Sequence, residues 1–214
     1  MIRLHHVAQA RSFRVLWLLE EIGLGCEVVH HSFFDRSLRD PAYLAISPAG
    51  RVPALEIDGR AMFESGAILQ YLVETREMFG PGRGERPDWL EWIHFAETIA
   101  AHLANLTQQH IVLREDHMRS PTVMRLEAKR LEKTLEAVER GLKGEYLLAS
   151  GFSAADVAVA YGALIGQRFV RLDRLPGVAA WLKRLEARPA FRRAIDRDGP
   201  PQIYLRDFYE APEP

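Results

Sequence analysis

The first 78 residues alternate between short strand-like runs and helices, and this alternation constrains the fold more than any other feature of the chain. The runs IRLHHV and EVVHHSFF are short and rich in β-branched and aromatic residues, as strands are. Between them, FRVLWLLEEIGLG has apolar residues at helical spacing and ends in glycines. This order predicts a βαβ unit with parallel strands and a right-handed crossover.

A hairpin and a second helix complete this region. PALEIDG and RAMFE are joined at Asp58-Gly59, a pair typical of two-residue hairpin turns. SGAILQYLVETRE follows as a predicted helix, with Ile68, Leu69 and Leu72 on one face. The order β-α-β and then β-β-α predicts a compact α/β domain over residues 1–78.

From Pro87 onward the pattern is almost wholly helical. The glycine-rich segment FGPGRGERP lacks the preceding strand and the Gly-Lys-Ser/Thr of a phosphate-binding loop, so we interpret residues 79–87 as a linker. An all-α domain is predicted over residues 88–198, followed by an irregular tail over residues 199–214. We expect Tyr204 and Phe208 of this tail to fold back over a domain surface.

Charge and cysteine content exclude several classes of function. A net charge of −1 over 214 residues gives no electrostatic case for nucleic acid or a membrane surface as partner. No stretch approaches 18 consecutive apolar residues, and the first residues do not resemble a signal peptide, so we expect a cytoplasmic protein. The single cysteine, Cys26, excludes an internal disulfide and a CxxC redox pair. The histidines lack ligand spacing, so no metal is expected.

Three motifs, in this order and spacing, resemble the glutathione transferase family: SPAGRVPALEIDG, FESGAILQYL and FSAADVAVA. SFRVLWLLEE and RPAF support the resemblance, which covers residues 1–197 and is nearest to cytosolic, theta- or beta-like bacterial members with an SRS-like loop. The resemblance implies a thioredoxin-like domain that binds glutathione as co-substrate and an all-α second domain. It also implies a homodimer.

The resemblance assigns glutathione-binding residues as well. It implies a cis Val52–Pro53 bond, after which the backbone of Val52 pairs with the peptide of glutathione like an added strand. Glu64 and Ser65 are implied to hold the ammonium and carboxylate of the γ-glutamyl end, and Arg51 lies near the expected glycyl carboxylate. Each of these assignments has an alternative interpretation. In it, Pro53 only begins an edge strand, Ser65 only caps its own helix, and Arg51 is only a solvated surface charge.

The segment FSAAD has a different meaning. Ser153 and Asp156 have the spacing of a capping box, and Phe152 has the position of a hydrophobic staple. We therefore assign Ser153 and Asp156 a structural role at the start of a buried helix.

The loop AQARS is the candidate site for thiol activation. In related classes the catalytic serine or cysteine falls four or five residues before Arg14, where this chain has Ala10 and Gln9. Lowering a thiol pKa of about 8.5 by two units requires about 2.7 kcal/mol, and a hydrogen bond to a charged group supplies about 1.5–3 kcal/mol. Ser12 is the remaining hydroxyl, so we predict that Ser12, Gln9 and helix N–H groups stabilise the thiolate. The alternative is that Ser12 only caps its helix.

The resemblance, together with these features, predicts a glutathione transferase that conjugates the thiol to small, largely apolar electrophiles. The alternatives are a glutathione-binding protein with little transferase activity and a glutathione-dependent isomerase or peroxidase. For His102 and His110, an interhelical contact is the alternative to lining a pocket. The predicted substrate pocket comprises loop and helix residues: Val7, Ala8, Ala10, Ile99, His102, Leu103 and Leu106.

Overall fold

The computed structural model of the chain describes residues 1–213. Within that range the chain forms four strands and eight α-helices. The strands are β1 (Arg3–His6), β2 (Glu27–His30), β3 (Ala54–Ile57) and β4 (Arg60–Phe63). The helices are α1 (Ser12–Ile22), α2 (Pro41–Ile46), α3 (Ser65–Arg76), α4 (Arg86–Thr107), α5 (Pro121–Gly141), α6 (Ala154–Gly166), α7 (Pro176–Glu186) and α8 (Pro189–Asp198).

The four strands form one mixed sheet in the order β2-β1-β3-β4. β1 and β2 are parallel, and β3 is antiparallel to both β1 and β4, which confirms the predicted βαβ unit and hairpin. Asp58 and Gly59 both have positive φ, 51° and 76°, as a tight hairpin turn requires. β2 ends earlier than the run EVVHHSFF predicts, because the Ser32 hydroxyl accepts the Phe34 N–H and turns the chain out of the ladder.

The chain divides into two compact units, of which the first comprises residues 1–80 and 186–203. Within it, α1 packs against α3 and α8, and the Trp17 and Phe191 rings meet edge-to-face at 4.9 Å. Arg188 forms an ion pair with Glu21 at 2.7 Å. Helix α8 was expected in the all-α domain over residues 88–198, whose bounds stay a prediction. It lies in the first unit, because its apolar and charged contacts are with α1.

The second unit comprises residues 81–185 and the described part of the tail from Tyr204 onward. In its core α4 packs against α5 and α6. The approach to α6 is close at Gly162, where an added Cβ would lie 2.7 Å from Cγ2 of Ile99. No helix formed by residues 1–213 has both the length and the apolar character needed to cross a membrane.

The tail residues from Tyr204 onward pack on the second unit. The Tyr204 hydroxyl lies 2.9 Å from Thr107 Oγ1, and the Tyr209 N–H donates to the Arg168 carbonyl at 2.7 Å. The guanidinium of Arg171 lies over the Phe208 ring at 4.5 Å. Tyr204 and Phe208 therefore contact the surface of a unit, as the sequence predicts.

Candidate functional site

The start of α3 brings the predicted residues Glu64 and Ser65 together. Ser65 is the first residue of the helix and is 4% exposed, whereas Glu64 is exposed and has a φ of 72°. Glu64 is the N-cap residue, yet its side chain accepts no hydrogen bond from the helix. Ser65 itself lies inside the helix, so it does not occupy the capping position that the structural alternative requires.

Arg14 of α1 lies directly beneath this helix start. Its side chain is fully buried, and Nη1 donates to Ser65 Oγ at 3.1 Å. Because Ser65 Oγ accepts from Arg14, the hydroxyl proton can be donated to a ligand. A guanidinium and a helix N-terminus both favour an anion at this position. No motif predicts a role in binding for Arg14, although a charged residue within the apolar run FRVLWLL is the signal that could have indicated it.

The segment that precedes Pro53 is held by α2. The Arg51 carbonyl accepts hydrogen bonds from the Tyr43 hydroxyl at 2.6 Å and from Ser47 Oγ at 2.7 Å. The Val52–Pro53 bond is cis, Val52 is half-buried, and the Arg51 side chain is exposed. Tyr43 and Ser47 thus orient this backbone, a role that no motif in the sequence indicated.

The Ser12 hydroxyl is enclosed within its own loop. Ser12 is fully buried, the Val7 N–H donates to its Oγ at 3.3 Å, and Oγ donates to the Val7 carbonyl at the same distance. The N-cap residue of α1 is Arg11, not Ser12, and Arg11 makes no side-chain cap. Ser12 is therefore not the cap of its helix, and its hydroxyl joins the two ends of the turn. Its role in stabilising the thiolate stays a prediction.

Gln9 lies at the tip of this loop with a φ of 62°. Its backbone N–H donates to both carboxylate oxygens of Asp198, at 3.3 and 3.1 Å. Its side-chain Oε1 accepts from the Ile203 N–H at 3.4 Å. Both the backbone and the side chain of Gln9 are thus held by the chain at the end of α8 and just beyond it.

The predicted pocket residues lie mainly in the cores of their respective units. In the loop, the exposed fraction is at most 7% for Val7, Ala8 and Ala10. In α4, it is at most 4% for Ile99, Leu103 and Leu106. The substrate pocket stays a prediction. His102 Nδ1 lies 2.8 Å from Glu127 Oε2. This contact joins α4 and α5, and an interhelical contact was the alternative to a place for His102 in the pocket. Burial alone would raise the pKa of Glu127, but hydrogen bonds from His102, Asn105 and Arg130 hold it below its usual value.

The start of α6 contains a complete capping box. Asp156 Oδ2 accepts from the Ser153 N–H at 2.9 Å, while Oδ1 accepts from the Leu147 N–H and from Trp181 Nε1, each at 3.0 Å. The Ser153 hydroxyl accepts from the Ala155 N–H at 3.2 Å. Burial raises the pKa of Asp156 despite these bonds. The arrangement serves folding and leaves no polar side chain of this pair available to a ligand.

Among the eight α-helices formed by residues 1–213, α1 and α3 start differently from the rest. We call a helix start open when it has neither a side-chain cap nor a proline in its first turn, and only α1 and α3 meet this definition. Proline lacks an N–H and a side-chain cap accepts one, so both reduce the number of donors that a helix start can offer to a ligand. At α1 the Phe13 and Arg14 N–H groups donate to the carbonyls of Ala10 and Arg11, at 2.9 and 3.2 Å, so its start acts through the helix dipole. Of the other six helices, α6 has a side-chain cap, and α4, α7 and α8 have a proline in the first turn. Helices α2 and α5 have both.

Comparison with known proteins finds relatives of a single family. Residues 1–74 match the family model described as glutathione S-transferase, N-terminal domain. Glutathione S-transferase 3 of Schizosaccharomyces pombe is 28% identical over 216 residues, covering 92% of this chain and 88% of that protein. Glutathione S-transferase 4 of Zea mays is 31% identical over 190 residues, covering 83% of each. A glutathione transferase from Phanerochaete chrysosporium, solved with oxidized glutathione, has a TM-score of 0.83 at 25% identity and covers 92% of this chain and 96% of that one.

Proposed function

We propose that this chain, which belongs to the glutathione S-transferase family, binds glutathione and conjugates its thiol to small, largely apolar electrophiles. The observation that carries the proposal is the pair of open helix starts, α1 and α3, in the first unit. One of them has a buried arginine beneath it. Two positions that favour negative charge suit a ligand with a carboxylate at one end and a thiolate in its middle.

The start of α3 binds the γ-glutamyl end in this proposal. The Ser65 hydroxyl and the N–H groups of the first turn donate to the carboxylate, and the Arg14 guanidinium supplies positive charge from below. The exposed Glu64 carboxylate pairs with the ligand ammonium. This arrangement recognises an α-amino acid end through both of its charges.

The segment at Val52 binds the middle of the ligand. Its backbone pairs with the glutathione peptide as an added strand would, and Arg51 extends toward the glycyl carboxylate. Tyr43 of α2 and Ser47, the residue that follows α2, support this geometry because they hold the Arg51 carbonyl.

The thiol lies at the start of α1 and loses its proton to solvent. Ala10 offers no hydroxyl and that of Ser12 is enclosed, so the positive end of the α1 dipole and the side chain of Gln9 stabilise the thiolate. A helix N-terminus contributes about 0.3–1 kcal/mol, and about 2 kcal/mol when partly buried, so we expect the thiol pKa to fall by about one unit. The thiolate electron pair then forms the carbon–sulfur bond, and the leaving group departs with the electron pair of the bond that breaks.

Two measurements test this proposal. Titration calorimetry with glutathione measures binding, and thiolate absorbance from pH 5 to 9 measures the pKa of the bound thiol. Binding with a pKa lowered by about one unit, together with turnover of an aryl halide, supports the transferase. Absence of binding overturns the proposal. Binding with an unshifted pKa and no turnover supports instead a glutathione-binding protein with little transferase activity.

We also propose a two-fold homodimer, which rests on membership of the family alone. Sedimentation equilibrium over a range of protein concentrations measures the mass in solution. A mass that remains at the monomer value of 24.4 kDa at all concentrations would contradict the dimer.

A further inference from the structure

We infer that Asp198, the last residue of α8, is a positioning residue for the loop that presents the start of α1 to the thiol. The inference rests on the proposed function and extends it to a residue 189 positions away from the loop tip. Asp198 touches neither the ligand nor the reacting atoms in this proposal. It acts through the backbone of Gln9.

The carboxylate of Asp198 is a buried junction between α8, β1 and the loop. Asp198 is 7% exposed, and its two oxygens accept the Gln9 N–H at 3.3 and 3.1 Å. His6 Nε2 at the end of β1 lies 3.1 Å from Asp198 Oδ1 and 3.1 Å from its carbonyl oxygen. A carboxylate that is buried requires such donors, so this junction is a specific arrangement.

The conformation of Gln9 explains why the loop needs an anchor. A φ of 62° is uncommon for a residue with a side chain, and such a conformation persists where surrounding contacts enforce it. Asp198 holds the backbone N–H, and the Ile203 N–H holds the side chain. Without the carboxylate, the backbone of Gln9 is free to relax toward a negative φ.

The position of Gln9 is coupled to the open start of α1. The Ala10 N–H donates to the Val7 carbonyl at 3.1 Å, and the Phe13 N–H donates to the Ala10 carbonyl at 2.9 Å. The loop and the first turn of α1 are therefore continuous, and a rotation at Gln9 moves the positive end of α1 that is proposed to face the thiol. The proposed contacts with the ends of glutathione come from other elements, so loss of Asp198 should affect the thiol more than binding.

The test compares three variants of the full chain. In Asp198→Ala we expect kcat with an aryl halide to fall about tenfold and the bound thiol pKa to rise toward that of free glutathione, while KM for glutathione changes less than about threefold. Asp198→Asn keeps an acceptor oxygen and should retain kcat within about threefold. Asp196→Ala is the matched control, because Asp196 is an exposed aspartate on the same helix, and should behave as wild type.

Two results would overturn the inference. One is a folded Asp198→Ala variant that keeps the kcat and the bound thiol pKa of the wild type. The other is an Asp198→Ala variant that loses kcat, glutathione affinity and thermal stability in parallel, which indicates a purely structural role. If Asp198→Ala does not fold, hydrogen exchange of the Gln9 amide is measured in the wild type. Slow exchange supports the hydrogen bond to Asp198, and exchange as fast as in an exposed loop contradicts the inference. A wild type that binds no glutathione counts against the proposed function, whereas normal turnover that is insensitive to Asp198→Ala counts against this inference alone.

Discussion

The starts of α6 and α3 use the same residue type, a buried serine, in opposite ways. At α6, Ser153 is the N-cap and Asp156 completes the capping box, so the polar side chains at this start are all engaged. At α3, Ser65 lies one residue inside the helix, and the N-cap Glu64 leaves the first N–H groups without a side-chain acceptor. The difference separates a helix start that stabilises the fold from one that is available to a ligand.

The neighbours of the two serines extend this contrast. Asp156 brings a negative charge to α6 and receives donors from Leu147 and Trp181 within the protein. Arg14 brings a positive charge to α3 and donates to Ser65, which leaves the hydroxyl proton available. A local rule of helix capping is satisfied at α6 and broken at α3, and such exceptions are expected at functional sites.

The largest expected effect comes from the start of α6, where the capping box lies. Replacing Asp156→Ala removes the acceptor of buried donors from Leu147, Ser153 and Trp181. We expect the free energy of unfolding to fall by about 3–5 kcal/mol, measured by urea denaturation. The fraction that remains folded should bind glutathione with wild-type affinity, and a loss of stability below about 1 kcal/mol would contradict this role.

The next effect comes from the open start. Replacing Ser65→Ala removes one donor to the proposed carboxylate, and we expect the Kd for glutathione to rise about 10–100-fold, or about 1.4–2.8 kcal/mol. Stability should fall by about 1 kcal/mol, because Arg14 loses an acceptor. Titration calorimetry measures the affinity, and wild-type binding by this variant would remove Ser65 from the site.

Ser153→Ala is the matched control, since it removes the same hydroxyl from another buried helix start. Loss of the cap should lower the free energy of unfolding by about 1 kcal/mol. The Kd for glutathione should stay within about twofold of wild type in the same calorimetric assay. If the two serine variants weaken binding equally, the contrast between α6 and α3 fails.

The smallest effect concerns the half-buried His110 of the second unit. Among the described residues none forms a hydrogen bond with His110 Nε2, and burial, together with Arg119 and Arg206, lowers the pKa of His110 to about 4. Between pH 6.5 and pH 4 the unfolded chain binds a proton at His110, whose usual pKa is 6.5, whereas the folded chain does not. The contribution of this group to the free energy of unfolding is therefore present above pH 6.5 and is lost as the pH falls toward 4.

His110→Phe removes this titration and keeps an aromatic ring beside Phe169 and Tyr209. Between pH 7 and pH 4.5 the variant should lose about 1 kcal/mol less unfolding free energy than the wild type, after allowance for solvent screening. Urea denaturation at both pH values measures the difference. Equal losses in the two proteins would show that His110 does not titrate in this range.

Local patterns determined most of the secondary structure. The apolar periodicity of α1 and α3 and the turn residues Asp58 and Gly59 act over a few positions, so the sequence alone predicts them. The short helix α2 was not predicted, since six residues are too few to show a period. The place of α8 in the first unit was not predicted either, because its packing against α1 joins residues far apart in the chain.

The sequence by itself determined the mixed sheet, the helical second region and, through motif resemblance, the candidate ligand residues Val52, Glu64 and Ser65. The tertiary structure alone decided that the Ser12 hydroxyl is enclosed, that Arg14 lies beneath Ser65, and that Asp198 holds Gln9. The physical reason is distance along the chain. Capping and periodicity depend on neighbours within a few residues, whereas burial and the pairing of a donor with a distant acceptor are set only when the elements pack together.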